Sequence, residues 1–306
     1  MLTPHKIIEI FCIADDFCKE FDQECKKHQM LPNDGKKHRN RPCEMSDSEI
    51  ITILLCFHFG SFRNFKHYYL FYVKEHQKKD FPKLLSYNRF IEVERKVMIP
   101  MMLFLKLICF GQCTGITFVD STRIAVCNNK RISRNKVFQG FAEIGKTTMG
   151  WFYGFKLHLV CNDKGELLSF CITRGNVDDR NKDVLNVLSK DLFGKLYGDK
   201  GYISSSLFEM LFNDGIHLVT GIRSNMKNRL MSLRDKILLR KRSVIETIND
   251  ELKNICQVEH SRHRGTVNFM MNLLAAITAY CFFDKKPAIK FERETNSTQL
   301  SLFLLI

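Results

Sequence analysis

Three carboxylates stand out along this chain, each in a different setting. Asp120 closes the short β-branched run "GITFVDST", Asp199 lies between glycines in "KLYGDKGY", and Glu246 sits in the basic, helix-patterned stretch "RSVIETINDELKNI". Each has an ordinary reading by itself. An aspartate beside glycines is a common turn residue, and a glutamate among basic residues on a helix is usually half of an i, i+4 surface pair. Taken together they allow more. If the two strands are neighbours and the helix packs across their ends, three carboxylates converge, and like charges at short range raise one another's pKa unless a cation intervenes. Oxygen-only ligation suits Mg²⁺ or Mn²⁺ better than zinc. Two such ions roughly 3.5–4 Å apart can activate an attacking oxygen and stabilise the leaving oxygen of an in-line phosphoryl displacement.

The charge balance points to a polyanionic partner. There are 47 Lys plus Arg against 33 Asp plus Glu, a formal charge of +14 over 306 residues, which favours steering and counterion release on nucleic acid. The stretch from Arg223 to Arg264 is the most basic, with 11 Lys or Arg against 5 acidic residues. The 12 cysteines are scattered, several inside apolar runs such as "LLCFHF", the pattern of buried reduced thiols in a cytosolic protein and not of a disulfide framework. Two loose groups, Cys18, Cys25, His28, His38 and Cys43, then Cys256, His260 and His263, lack paired zinc-ligand spacing. The amino terminus does not read as a secretory leader. The uncharged run from Val267 to Phe283 is short for a membrane span and carries Asn268, Asn272 and Thr278, so a buried core helix is expected and no membrane partner.

The elements that must position the carboxylates follow from pattern. Residues 1–110 read as a helical module. Ser46 followed by Glu49 and an apolar run forms a capping-box start, Pro100 marks a kink or boundary in the helical stretch from Ser86, and "KKHQMLPNDGKKHRNRPCE" reads as an exposed basic loop. From residue 111 to 290 the texture changes to strands. "GITFVDST", "WFYGFKLHLVCND" and "GELLSFCITRG" read as strands, the last two joined by the turn "NDKG". Helix-patterned "DDRNKDVLNVLSKDLF", strand "KLYGDKGY", helix "SSSLFEMLFNDG" and strand "IHLVTGI" follow. This is an α/β chain with a mixed sheet and a site at strand ends. One long helix is expected over "LRDKILLRKRSVIETINDELKNI", with Ile237, Val244, Ile248 and Leu252 on its apolar face. Residues 291–306 form an apolar-ended tail.

"FVDST", "YGDKGY" and "RSVIETINDELK", in this order, resemble the three blocks of DDE transposases from bacterial insertion sequences. Arg242, Glu246 and Lys253 keep the spacing of the longer Y-x2-R-x3-E-x6-K signature, although Leu239 stands where its tyrosine would be. The resemblance covers about Gly115 to Phe283. It implies a ribonuclease H-like sheet flanked by helices and preceded by a small all-α module that binds DNA. It further implies a metal triad of Asp120, Asp199 and Glu246 holding two Mg²⁺ or Mn²⁺ ions, and phosphate contacts from Arg242, Lys253, Lys200 and Lys156. His158 is left outside the triad. The implied reaction is cleavage at the element's terminal inverted repeats and joining to double-stranded target DNA, by a dimer on DNA in a bacterial, nucleoid-associated setting. A nuclease that cuts without joining and an inactive DNA-binding remnant stay open as alternatives.

Overall fold

The computed structural model describes residues 2–28, 43–60, 62–148, 150–227, 230–259 and 263–290. Most of the basic loop expected before Glu44, the residues His38 and His260, and the tail 291–306 lie outside the described residues.

Six strands form one sheet: β1 (Ile116–Cys127), β2 (Glu143–Thr147), β3 (Gly150–Asn162), β4 (Leu167–Arg174), β5 (Gly194–Gly198) and β6 (Ile216–Thr220). The order is β2-β3-β1-β5-β6, and β4 also pairs with β3. Antiparallel partners of β3 divide its outer edge, with β2 along Gly150–Gly154 and β4 along Phe155–Cys161. On the other side of β1, β5 and β6 run parallel to it. The antiparallel run β4-β3-β1 continued by the two parallel strands β5 and β6 through helical crossovers, with β2 added beside β4, is a ribonuclease H-like arrangement, a mixed α/β sheet with helices on its faces.

β-Branched and aromatic residues at alternate positions make the two faces. One presents Phe118, Ile124, Leu157, Leu159 and Tyr197 to the main core, which also contains Ile245, Ile248 and Leu252 of the Ser243–Asn254 helix and Leu273 to Tyr280 of the Thr266–Cys281 helix. The other presents Val119, Val160, Leu196 and Leu218 to Val184, Leu185 and Leu188 of the Lys182–Ser189 helix and to Leu207 and Leu211 of the Ser205–Asn213 helix.

The helices before residue 110 join the main core. Ser46 caps the Asp47–Phe57 helix through the Glu49 backbone N–H at 3.1 Å, and the Glu49 carboxylate accepts from the Ser46 N–H at 2.7 Å. Ile50 to Phe57 are all buried, so this helix is apolar on every side; such a helix belongs to an interior. It packs between the Pro4–Lys27 and Thr266–Cys281 helices. The Thr266–Cys281 helix is the core helix expected from its composition, and no helix among the described residues is long and apolar enough to cross a membrane.

Two expectations change. The strand carrying Asp120 does not stop there but runs on to Cys127, because β3 continues to pair with it. The long helix divides into Leu233–Arg240 and Ser243–Asn254, with Lys241 and Arg242 between them; Ile237 is 49% exposed and lies off the buried face. Pro100 does mark a boundary: the Tyr87–Val93 helix passes through a 3₁₀ segment, Glu94–Val97, and Pro100 occupies the first turn of the next helix, Met98–Phe104, where no helical N–H is needed.

Candidate active site

The parallel ladder between β1 and β5 is short. Its last registered pair is Phe118 with Tyr197, whose rings stack at 5.5 Å between centroids. Two residues further along each strand stand Asp120 and Asp199. Both thus follow the last registered pair of neighbouring strands, Asp120 within β1 and Asp199 just past the end of β5, at the place where the parallel pairing ends.

Asp199 leaves β5 and starts the 3₁₀ turn Lys200–Tyr202, accepting the Gly201 N–H at 2.8 Å. The glycines around it now have separate reasons. A Cβ at position 201 would come within 2.8 Å of Asp199 Oδ1, and one at 198 within 3.1 Å of the Tyr202 ring. The space they leave is taken by the carboxylate and the ring.

The Ser243–Asn254 helix reaches the strands from above. Arg242, Glu246, Asn249 and Lys253 are spaced to form one stripe along it. Arg242 Nη1 lies 3.4 Å from Asp120 Oδ1 and its Nη2 pairs with Glu246 Oε1, while Asn249 donates from Nδ2 to Asp120 Oδ2 at 2.9 Å. Both oxygens of Asp120 are therefore engaged by one helix. Asn249 is 5% exposed, and its Oδ1 is buried without a hydrogen bond. Nothing in the sequence marks Asn249, because a single asparagine in a helix reads as a solvated residue.

Burial is the main force pushing the Asp120 carboxyl up to about 6; the Arg242 charge opposes it, and Asp199 and then Glu246 push the same way as burial. All three acidic residues thus act on one spot. Among the described residues no group of three His, Cys, Asp or Glu closes round a metal ion. The Arg242 guanidinium bridges Asp120 and Glu246. The donor types are nevertheless those that suit a hard dication: carboxylate oxygens and one buried amide oxygen without a hydrogen bond.

The basic candidates fall in different places. Lys200 is exposed beside Asp199. Lys253 lies at the far end of the stripe, 3.5 Å from Glu259. Lys156 faces the opposite side of the sheet from Asp120; it is 9% exposed, and its ammonium is held by the Val177 carbonyl at 2.8 Å and by Asp179 at 3.1 Å. Position 156 is part of an internal network with His158, whose Nε2 meets Thr173 Oγ1 at 2.9 Å and whose pKa burial lowers to about 4.

Residues 110–266 match the family model described as the transposase DDE domain. The chain belongs to that family. As a DDE transposase-family chain it also shows distant likeness to two solved structures. One is the piggyBac transposase in a synaptic complex with hairpin DNA, at 10% identity and TM-score 0.46, covering 90% of this chain and 72% of that one. The other is the Mos1 strand transfer complex, at 10% identity and TM-score 0.22, covering 85% and 83%. Likeness of this size adds nothing to the family match. No curated protein matches the sequence.

Proposed function

We propose that this chain is a DNA transposase that cuts the ends of its element and joins them to target DNA. The observation that carries this reading is the alignment of Asp120 and Asp199 on adjacent strands, with Glu246 brought to them by a helix bonded directly to Asp120. Asp120, Asp199 and Glu246 would hold Mg²⁺ or Mn²⁺, two ions in the paired arrangement. Bound there, such ions supply Lewis-acid stabilisation of phosphoryl oxygens and lower the pKa of a bound water.

The chain's own residues do the rest. Asn249 fixes Asp120 through Oδ2, so the central carboxylate keeps its aim when its charge changes. Arg242 neutralises Asp120 and Glu246, and its planar guanidinium is the kind of group that takes a DNA phosphate at the same place. Lys200 and Lys253 extend the positive edge on either side. Hydrolysis forms a bond from the water oxygen to phosphorus and releases the 3′-oxygen of the element end as a hydroxyl. That hydroxyl then bonds to a phosphorus of the target, whose own 3′-oxygen leaves. The basic residues hold two DNA segments in register for this, with the helical residues 1–110 reading the terminal inverted repeats and two copies of the chain on the paired ends.

The test is cleavage and joining of a labelled fragment bearing the element's own ends, with Mg²⁺, Mn²⁺ or EDTA, comparing the native chain with Asp199→Ala. Metal-dependent joined products that disappear in the variant support the reading. Cut but unjoined products point to a nuclease, and cleavage that survives Asp199→Ala places the chemistry elsewhere.

A further inference from the structure

Beyond Asp120 the β1–β3 ribbon continues away from the carboxylates and carries an arm, residues 128–148 with 150 and 151, formed by a 3₁₀ segment (Asn129–Arg134), β2 and the start of β3. Its composition differs from the rest of the sheet. Five Lys or Arg stand against a single acidic residue, Glu143, and Glu143 already faces Arg174 at 3.9 Å. Lys130, Arg131, Arg134, Lys136 and Lys146 are all exposed. The same arm carries Trp151, 59% exposed, although an indole of that size is normally at least half buried. Lys146 is its cross-strand partner and lies 5.3 Å from the ring centroid. Asn129 holds the Trp151 carbonyl at 2.9 Å, which fixes the backbone under the ring.

We infer that this arm is a second DNA-binding surface, on which Trp151 stacks against an unpaired base while Lys146 and the arm's other exposed lysines and arginines hold the phosphates. An exposed aromatic ring amid cations is the combination that binds single strands, stacking supplying the base contact and positive charge the backbone contact. The position suits a strand leaving the carboxylates. Residues of β3 with the same parity as Leu159, the cross-strand partner of Asp120, face the same side of the sheet, and Trp151 is one of them. Eight residues separate them, roughly 26 Å of strand. The inference rests on the transposase reading for its DNA partner, but not on the carboxylates.

Trp151 is the chain's only tryptophan, so intrinsic emission reports this ring alone. The full chain is titrated in EDTA with an oligonucleotide carrying an unpaired tail and with its blunt duplex, following tryptophan emission and the anisotropy of a dye on the DNA. Stacking predicts quenched emission with the tailed DNA, and about 10-fold weaker binding of that DNA by Trp151→Ala, with Trp151→Phe retaining most of the affinity. Blunt duplex should bind nearly equally to all three proteins. If tailed DNA binds with unchanged emission and Trp151→Ala keeps native affinity, the arm is not a stacking surface and the transposase reading stands. If neither DNA binds at low salt, both fall.

Discussion

Asp120 is the residue on which the site turns, and its charge is expensive when no cation is present. Its folded pKa is about 6, raised from the ordinary 3.8 by burial first and by Asp199 and Glu246 in addition. A carboxyl whose pKa rises on folding binds its proton more tightly in the native state, so it costs nothing at pH below 3.8. The cost grows as pH climbs from 3.8 to 6 and is complete above that. Asp120→Asn should therefore stabilise the metal-free protein at pH 7.5, by up to about 3 kcal/mol on the conversion of pKa to free energy, while abolishing cleavage. Denaturant melts of both proteins in EDTA at pH 4 and 7.5 measure it. The gain should shrink towards zero at pH 4, and equal midpoints at pH 7.5 would show that Asp120 carries no strain.

At the scale of elements, local signals and tertiary ones separate clearly. The Asp47–Phe57 helix begins where the capping box says, and Ser46→Ala should cost about 1 kcal/mol of stability; thermal melting monitored by circular dichroism checks this, and a Tm unchanged within error would mean that other contacts fix the helix start. The strands around Asp120 and Asp199 were legible for the same reason, since β-branched and aromatic residues alternate there beside clear turn residues. β2 was not, because "EIGKT" offers no buried alternation of its own and becomes a strand only by lying against Gly150–Gly154. The break at Lys241–Arg242 was equally hidden. No glycine or proline marks it, and its evident use is to turn the Arg242 side chain down onto Asp120. Asn249 escaped notice because its partner lies 129 residues away in sequence.

Across the whole molecule, residues 1–110 and the sheet share one hydrophobic core, although the change of texture in the sequence suggested two parts. Phe57, Phe104, Leu159 and Tyr280 belong to the same cluster. A polar tie crosses the join as well, from His58 Nδ1 to the Cys256 carbonyl at 2.9 Å. Calorimetry of the full chain should accordingly give one unfolding transition, and residues 111–306 expressed alone should aggregate, with the apolar side of the Thr266–Cys281 helix bared. Two separable transitions, or a monomeric and folded fragment, would show the core to be divided.

The 129-residue reach between Asn249 and Asp120 also bears on how the protein is made. Synthesis delivers the chain in order from its amino end, so β1 and β5 leave the ribosome well before the helix bearing Glu246. Any product cut short between those points has the amino-terminal helices and both aspartates, but neither the third carboxylate nor the clamp on the first. Aborted translation would then release chains whose shared core lacks Ile245, Ile248 and the Thr266–Cys281 helix, prone to aggregate and without a complete set of carboxylates.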